Sequence, residues 1–108
     1  MSDFHEGQRI LAQWDGGSFW FPGEVHSVGA DGAVAIRYDD GMSDIRPVGQ
    51  VKPFDWRVGS RIDAIWSGNG QWYAARIMDM AEDGRSVLVR FEDDGIREGR
   101  QTGECRSS

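Results

Sequence analysis

The chain repeats itself. Gly7-Gln8-Arg9-Ile10-Leu11-Ala12-Gln13-Trp14 returns as Gly59-Ser60-Arg61-Ile62-Asp63-Ala64-Ile65-Trp66, a period of 52 residues from Gly7 to Gly59. The register then runs without a gap through Gly16/Gly68, Trp20/Trp72, Phe21/Tyr73, Val25/Ile77 and Asp31-Gly32/Asp83-Gly84. One inserted residue precedes the match of Arg37-Tyr38 with Arg90-Phe91. A second lies in the next turn, where Asp39-Asp40-Gly41 becomes Glu92-Asp93-Asp94-Gly95. Arg46/Arg100, Gly49/Gly103 and Val51/Cys105 complete the second copy. A repeat of this kind sets the architecture before any finer reading: two copies of one small unit. The expected boundaries are 7–53 and 59–106, joined by 54–58. Phe54 and Trp56 make that joint apolar, which suits a seam better than a loose linker.

Within each copy the pattern is alternation broken by Gly, Asp and Asn, with no sustained helical period, which predicts an all-β fold with tight turns. Strands are expected near 8–14, 19–28, 33–39, 42–47 and 50–53. In the second copy they fall near 60–66, 71–80, 86–92, 96–101 and, least well specified, 104–106, because Gly99 replaces Ile45. Pro22-Gly23 marks a bulge or bend in the long second strand. Five short antiparallel strands per copy fit a small SH3-like barrel. A domain of about 50 residues buries only about 60 % of its unfolded surface, so the two barrels are expected to pack against each other.

Alternation also predicts where the aromatic rings go, since successive side chains point to opposite faces. Ile10-Ala12-Trp14, Phe21-Gly23-Val25 and Val34-Ile36-Tyr38 are the inward sets. Following the chain up, down and up again, Trp14, Phe21 and Tyr38 gather at one mouth beside Asp39-Asp40. Trp66, Tyr73 and Phe91 do the same in the second copy, beside Asp93 and Asp94. Aromatic faces attract methylated ammonium groups at roughly 0.5–2 kcal/mol per contact, and a neighbouring carboxylate adds charge attraction and a hydrogen-bond acceptor. The competing reading is that the rings plug the barrel end as core. Trp20 and Trp72 alternate away from this face and read as packing residues.

These same residues resemble a known family. Gly-x-Arg-Ile-x-Ala-x-Trp, Phe19-Trp20-Phe21-Pro22-Gly23-x-Val25 and Ile36-x-Tyr38-Asp39-Asp40-Gly41 are similar to a Tudor domain, and the pair resembles tandem Tudor and plant Agenet modules over nearly the whole chain. The resemblance implies a five-stranded barrel that reads methyl-lysine or methyl-arginine, often on histone tails in chromatin. It places the cage at Trp14, Phe21, Tyr38 and Asp40 in the first copy. In the second it falls at Trp66, Tyr73, Phe91 and Asp93, with Asp94 as the other candidate acid. Many members carry a further aromatic after the Asp-Gly turn, where this chain has Met42 and Ile96. Met42 can still pack on a methyl-ammonium, so the first copy is expected to be the better-formed cage.

The remaining composition narrows the function class. Net charge is −6 with 18 acidic against 12 basic side chains, which favours a cationic partner such as a basic protein tail over a phosphate backbone. His5, His26 and Cys105 make no metal or nucleophile set. The acidic turns lack calcium-loop spacing, and no phosphate-cradling motif accompanies Gly16-Gly17 or Gly68-Asn69-Gly70. No enzyme, cofactor or metal is expected. The first residues have no secretory pattern, no apolar run approaches a membrane span and the single cysteine forms no internal disulfide. The expected setting is intracellular: nuclear in a eukaryote with a histone-like partner, cytoplasmic in a bacterium, and without membrane partners. The runner-up function is a nucleic-acid or nucleoprotein binder, with Arg9, Arg37, Arg61, Arg76 and Arg90 as a basic stripe. A structural scaffold with plugged mouths is the third.

Overall fold

The computed structural model describes residues 4–108. The chain divides into two compact units, Met1–Asp55 and Trp56–Ser108. In unit 1 the strands are β1 (Arg9–Gln13), β2 (Trp20–Val28), β3 (Val34–Tyr38), β4 (Ser43–Arg46) and β5 (Val51–Pro53). In unit 2 they are β6 (Arg61–Ile65), β7 (Trp72–Met80), β8 (Ser86–Phe91), β9 (Arg97–Gln101) and β10 (Cys105–Arg106). Each unit is one five-stranded sheet of the same order, β4-β3-β2-β1-β5 and β9-β8-β7-β6-β10. All of its pairings are antiparallel. The chain is all-β, two tandem five-stranded units, as the alternation predicts.

The inward sets are where the two-residue period puts them. Ile10, Ala12, Val25, Val34, Ile36, Tyr38 and Val51 form one buried cluster in unit 1, with Phe4 and Phe21 packed against it. Ile62, Ala64, Ala75, Ile77, Val87, Val89, Phe91 and Cys105 are the buried counterparts in unit 2. Gly23 is demanded by packing: a Cβ there would sit 2.6 Å from the Arg37 carbonyl oxygen on β3. Burying an apolar side chain in such a core stabilises by about 1.5–3 kcal/mol.

One expectation needs correction. The irregularity in the long second strand lies between Val25 and Ser27, and between Ile77 and Asp79 in unit 2, rather than at Pro22-Gly23. Pairing of β1 with β2 stays in step through Pro22 and Gly23. The extra residue falls beyond the end of that pairing, where β2 continues against β3 alone, and such a bulge increases the local twist. The last strand, expected at 104–106, forms over Cys105–Arg106. Gly99 takes no side chain from the core, since its counterpart Ile45 is 63 % exposed.

Each aromatic of the joint has a partner in its own unit. The Arg9 guanidinium stacks over the Phe54 ring at 4.9 Å. Trp56 is buried and its indole N–H donates to Ser107 Oγ at 3.1 Å. Trp20 and Trp72 are each covered by a cation from the last strand, Lys52 Nζ at 4.5 Å and Arg106 at 4.2 Å.

Candidate functional site

The mouth of unit 2 is built from the ends of three strands. Trp66 follows β6, Tyr73 lies at the start of β7 and Phe91 ends β8. The Trp66 and Tyr73 rings stand nearly perpendicular, 88° apart with centroids at 6.0 Å. Phe91 is buried, and together with Asp93 and Asp94 the three rings line a cavity of about 110 Å³. The structure therefore brings all five residues expected for the second cage around one space.

Local turn chemistry explains how Trp66 is held. The Trp66 amide donates to Gln71 O, and its own carbonyl accepts from Gly70 N at 2.9 Å. The indole lies over Gly68, where an added Cβ would come within 2.5 Å of the ring. Only a residue without a side chain lets the ring lie this way. Asn69 closes the turn: its side-chain oxygen accepts from Gln71 N and its amide group donates to the Tyr73 hydroxyl at 2.7 Å.

The mouth of unit 1 is made of the matching residues in a different arrangement. Trp14, Phe21 and Tyr38 form a chain of edge-to-face contacts, with centroids 6.4 Å and 6.5 Å apart. Trp14 does not continue the strand inward. It opens a short 3-10 turn, Trp14–Gly16, in which Asp15 takes a left-handed conformation (φ 51°), and the indole is 45 % exposed. Tyr38 is part of the core at 3 % exposed. Met42, expected to complete this cage, is 53 % exposed at the hairpin tip, and Ile96 is likewise exposed.

The acids sort differently from the expectation. Asp40 Oδ1 accepts from the Met42 amide at 2.9 Å, and Asp94 Oδ1 accepts from the Ile96 amide at 3.0 Å. Asp94 is thus the counterpart of Asp40, and Asp93 is the inserted residue. The carboxylate that meets the unit 1 aromatics is Asp44, which sequence reasoning missed. Its Oδ2 accepts from the Tyr38 hydroxyl at 3.3 Å and from the Asp15 amide at 2.9 Å. Burial first, and the Asp44 charge second, hold the Tyr38 hydroxyl protonated well above the ordinary phenol range.

Asp44 has a counterpart in unit 2, Glu98. It accepts from Ser67 Oγ at 2.6 Å. Each acid pairs with the arginine two residues on, Asp44 with Arg46 at 3.2 Å and Glu98 with Arg100 at 3.4 Å. Each arginine in turn donates to the following 3-10 turn, at Gln50 and Glu104. Both units therefore clasp the turn after their first strand with an acid from the fourth. The sequence signal was available: the repeat register that matches Arg46 with Arg100 also matches Asp44 with Glu98.

Among the described residues no group of three or more His, Cys, Asp or Glu side chains is placed to hold a metal ion. No helix there is long and apolar enough to cross a membrane.

No family model matches the chain. Among curated proteins it is similar to the survival of motor neuron-related-splicing factor 30 of Xenopus tropicalis, 33 % identical over 60 residues. Those residues are 56 % of this chain and 24 % of the relative, so the match spans about a quarter of that protein's length. Among solved structures the chain is similar to the tandem Tudor domains of Crb2, with a TM-score of 0.61 at 14 % identity, covering 94 % of this chain and 84 % of that one. It is also similar to the AGD34 segment of Arabidopsis thaliana AGDP1, with a TM-score of 0.44 at 18 % identity, covering 97 % and 82 %. The architecture of this chain is the tandem Tudor fold.

Proposed function

We propose that this chain is a non-catalytic binding module that takes a methylated lysine, or a methylated arginine, of a protein tail into the aromatic mouth of unit 2. One observation carries the reading: Trp66, Tyr73, Phe91, Asp93 and Asp94 line a single cavity. Two perpendicular rings and a buried third line the same space, which suits a cation that has lost most of its hydration to methyl groups. Asp93, which caps no turn as Asp94 does, is free in its role to face the ammonium. A partly methylated ammonium keeps an N–H for such a carboxylate, and a trimethylated one does not.

Unit 1 is the weaker candidate in this reading, the reverse of what Met42 suggested. Trp14 stands out in solvent and the Tyr38 hydroxyl is already satisfied by Asp44. A histone-like tail in a eukaryotic nucleus is the partner that this chemistry fits best, and the acidic balance of the chain favours a basic tail.

The test is an NMR titration of the whole chain with lysine peptides carrying zero to three methyl groups and with methyl-arginine peptides. Methyl-dependent shifts of the Trp66 indole, with affinity of about 10 µM to 1 mM or about −4 to −7 kcal/mol, are expected for one shallow cage. A response to methylated peptides no larger than to unmodified lysine would discard the reading.

A further inference from the structure

Unit 2 carries a row of arginines that unit 1 does not. Cross-strand register places Arg61 opposite Arg76, Arg76 opposite Arg90 and Arg90 opposite Arg97. Directly opposed residues on neighbouring antiparallel strands share a face. The four arginines therefore form one line across β6, β7, β8 and β9, on the outer surface, with Ile62, Ala75, Val89 and Phe91 facing the core beside them. All four are exposed. Neighbouring strands are about 4.8 Å apart, so the line is roughly 14 Å long.

The matching row of unit 1 reads Arg9, Glu24, Arg37, Ser43. There charge alternates as sheet stability favours. Like charges directly opposite are destabilising, so the row of unit 2 works against its own sheet. Glu92 offsets it at one end, 3.2 Å from Arg61 and 3.7 Å from Arg76. Among the described residues neither Arg90 nor Arg97 has an acidic partner. Composition follows the same division. Unit 2 has eight arginines and no lysine against nine carboxylate side chains, and unit 1 has three arginines and one lysine against nine. The molecule's negative charge thus lies mostly in unit 1.

We propose that the outer face of unit 2 binds a nucleic-acid phosphodiester backbone along Arg61, Arg76, Arg90 and Arg97. This goes beyond the cage and uses the opposite face of the same strands. The stripe differs from the one considered from sequence: Arg9 is held by Asp39 and Phe54, Arg37 lies opposite Glu24, and Arg97 joins the line. Planar guanidinium forks match phosphate oxygens two at a time, which an ammonium does not. A duplex carries about one negative charge per 1.7 Å of its axis, against at most one per ~3.4 Å along an extended, fully acidic peptide. Charge density therefore favours the phosphate backbone.

The experiment is fluorescence anisotropy of the whole chain with three labelled probes: a DNA duplex of about 20 base pairs, a single-stranded RNA of that length, and an oligoglutamate of matched charge. Binding to one or both nucleic acids is expected, and which one binds identifies the source of the phosphates. With four contacts to duplex, log affinity should fall with log salt at a slope of about −3.6, a loss of roughly 100-fold between 50 and 200 mM. R90E/R97E should weaken binding and make that slope shallower by about 1.8. R37E in unit 1 and W66A in the cage should leave nucleic-acid binding unchanged, and W66A separates this site from the methyl-ammonium site. If R90E/R97E is not folded by circular dichroism, R90Q/R97Q carries the same test. No binding to either nucleic acid at about 50 mM salt, tighter binding to oligoglutamate, or full affinity in the folded double variant would each overturn the proposal.

Discussion

Trp14 and Trp66 occupy the same place in the repeat, yet one ring stands out in solvent and the other roofs a cavity. The cause is the turn that follows. In unit 1 Asp15 adopts a left-handed conformation and its amide is tied to Asp44, which swings the chain into a 3-10 turn and leaves Trp14 at its start. In unit 2 Ser67 presents its hydroxyl to Glu98, Gly68 lies under the indole, and Asn69 anchors Tyr73. The clasp between the first and fourth strands is shared by both. The residue it grips differs, and that difference decides whether the aromatic closes over the mouth. Two copies of one fold can thus carry different surfaces with an almost unchanged core.

The comparison can be broken most forcefully through the core. Phe91→Ala and Tyr38→Ala should each destabilise their own unit by about 3–5 kcal/mol in chemical denaturation, whereas Trp14→Ala should cost less than about 1 kcal/mol. A small effect of Phe91→Ala would mean that the cavity floor is not core at all. Next comes binding. Trp66→Ala should weaken methyl-lysine peptide binding by roughly 30-fold, the loss of about 2 kcal/mol of cation–ring attraction, and Trp14→Ala by no more than about twofold. Isothermal titration calorimetry on both variants reads this directly, and equal losses would abolish the distinction between the units.

Smaller substitutions sharpen the same contrast. Gly68→Ala forces the indole off its seat and should weaken peptide binding by about 3- to 10-fold with the fold intact, since one displaced ring contact is worth about 1 kcal/mol. Asp94→Ala and Asp40→Ala each remove a turn hydrogen bond and should cost about 1 kcal/mol of stability. Asp93→Ala should leave stability alone and reduce affinity for mono- and dimethyl-lysine more than for trimethyl-lysine. Comparing thermal melts with the methyl series separates the roles of the two acids, and identical behaviour of Asp93 and Asp94 would erase them.

The smallest effect is a pH dependence specific to unit 1. Burial and Asp44 raise the Tyr38 pKa well above its ordinary 10.0. The folded state then holds this proton more tightly than the unfolded chain. The resulting stabilisation is complete below about pH 10 and shrinks as pH rises beyond it. Tyr38→Phe should therefore flatten the loss of stability on the alkaline side of about pH 10. An unchanged alkaline profile would show that the hydroxyl contributes nothing there.

Much of the fold was legible because its signals are local. A period of two residues identifies which side chains face the core, and Ile10, Ala12, Val25, Val34 and Ile36 are buried together as that period requires. Each strand falls within a residue of its expected bounds, since Asp-Gly and Gly-rich turns interrupt the alternation at fixed places. The aromatic triads followed from the same argument with chain direction added. The site was less legible. Alternation carried Trp14 inward by treating it as strand, whereas the turn chemistry of Asp15 ends the strand one residue earlier. Asp44 was overlooked because its partners, Tyr38 and Asp15, meet it across other strands.

By itself, then, the sequence determined two all-β copies, their core faces and the pooling of three rings at each mouth, because side-chain direction along a strand depends only on neighbours in the chain. The tertiary structure alone decided how far Trp14 is exposed, which acid stands beside the rings of unit 1, and that Arg61, Arg76, Arg90 and Arg97 line up. Those outcomes depend on register between strands, such as Arg61 against Arg76, and register is settled by how whole strands pair rather than by any residue's own preference.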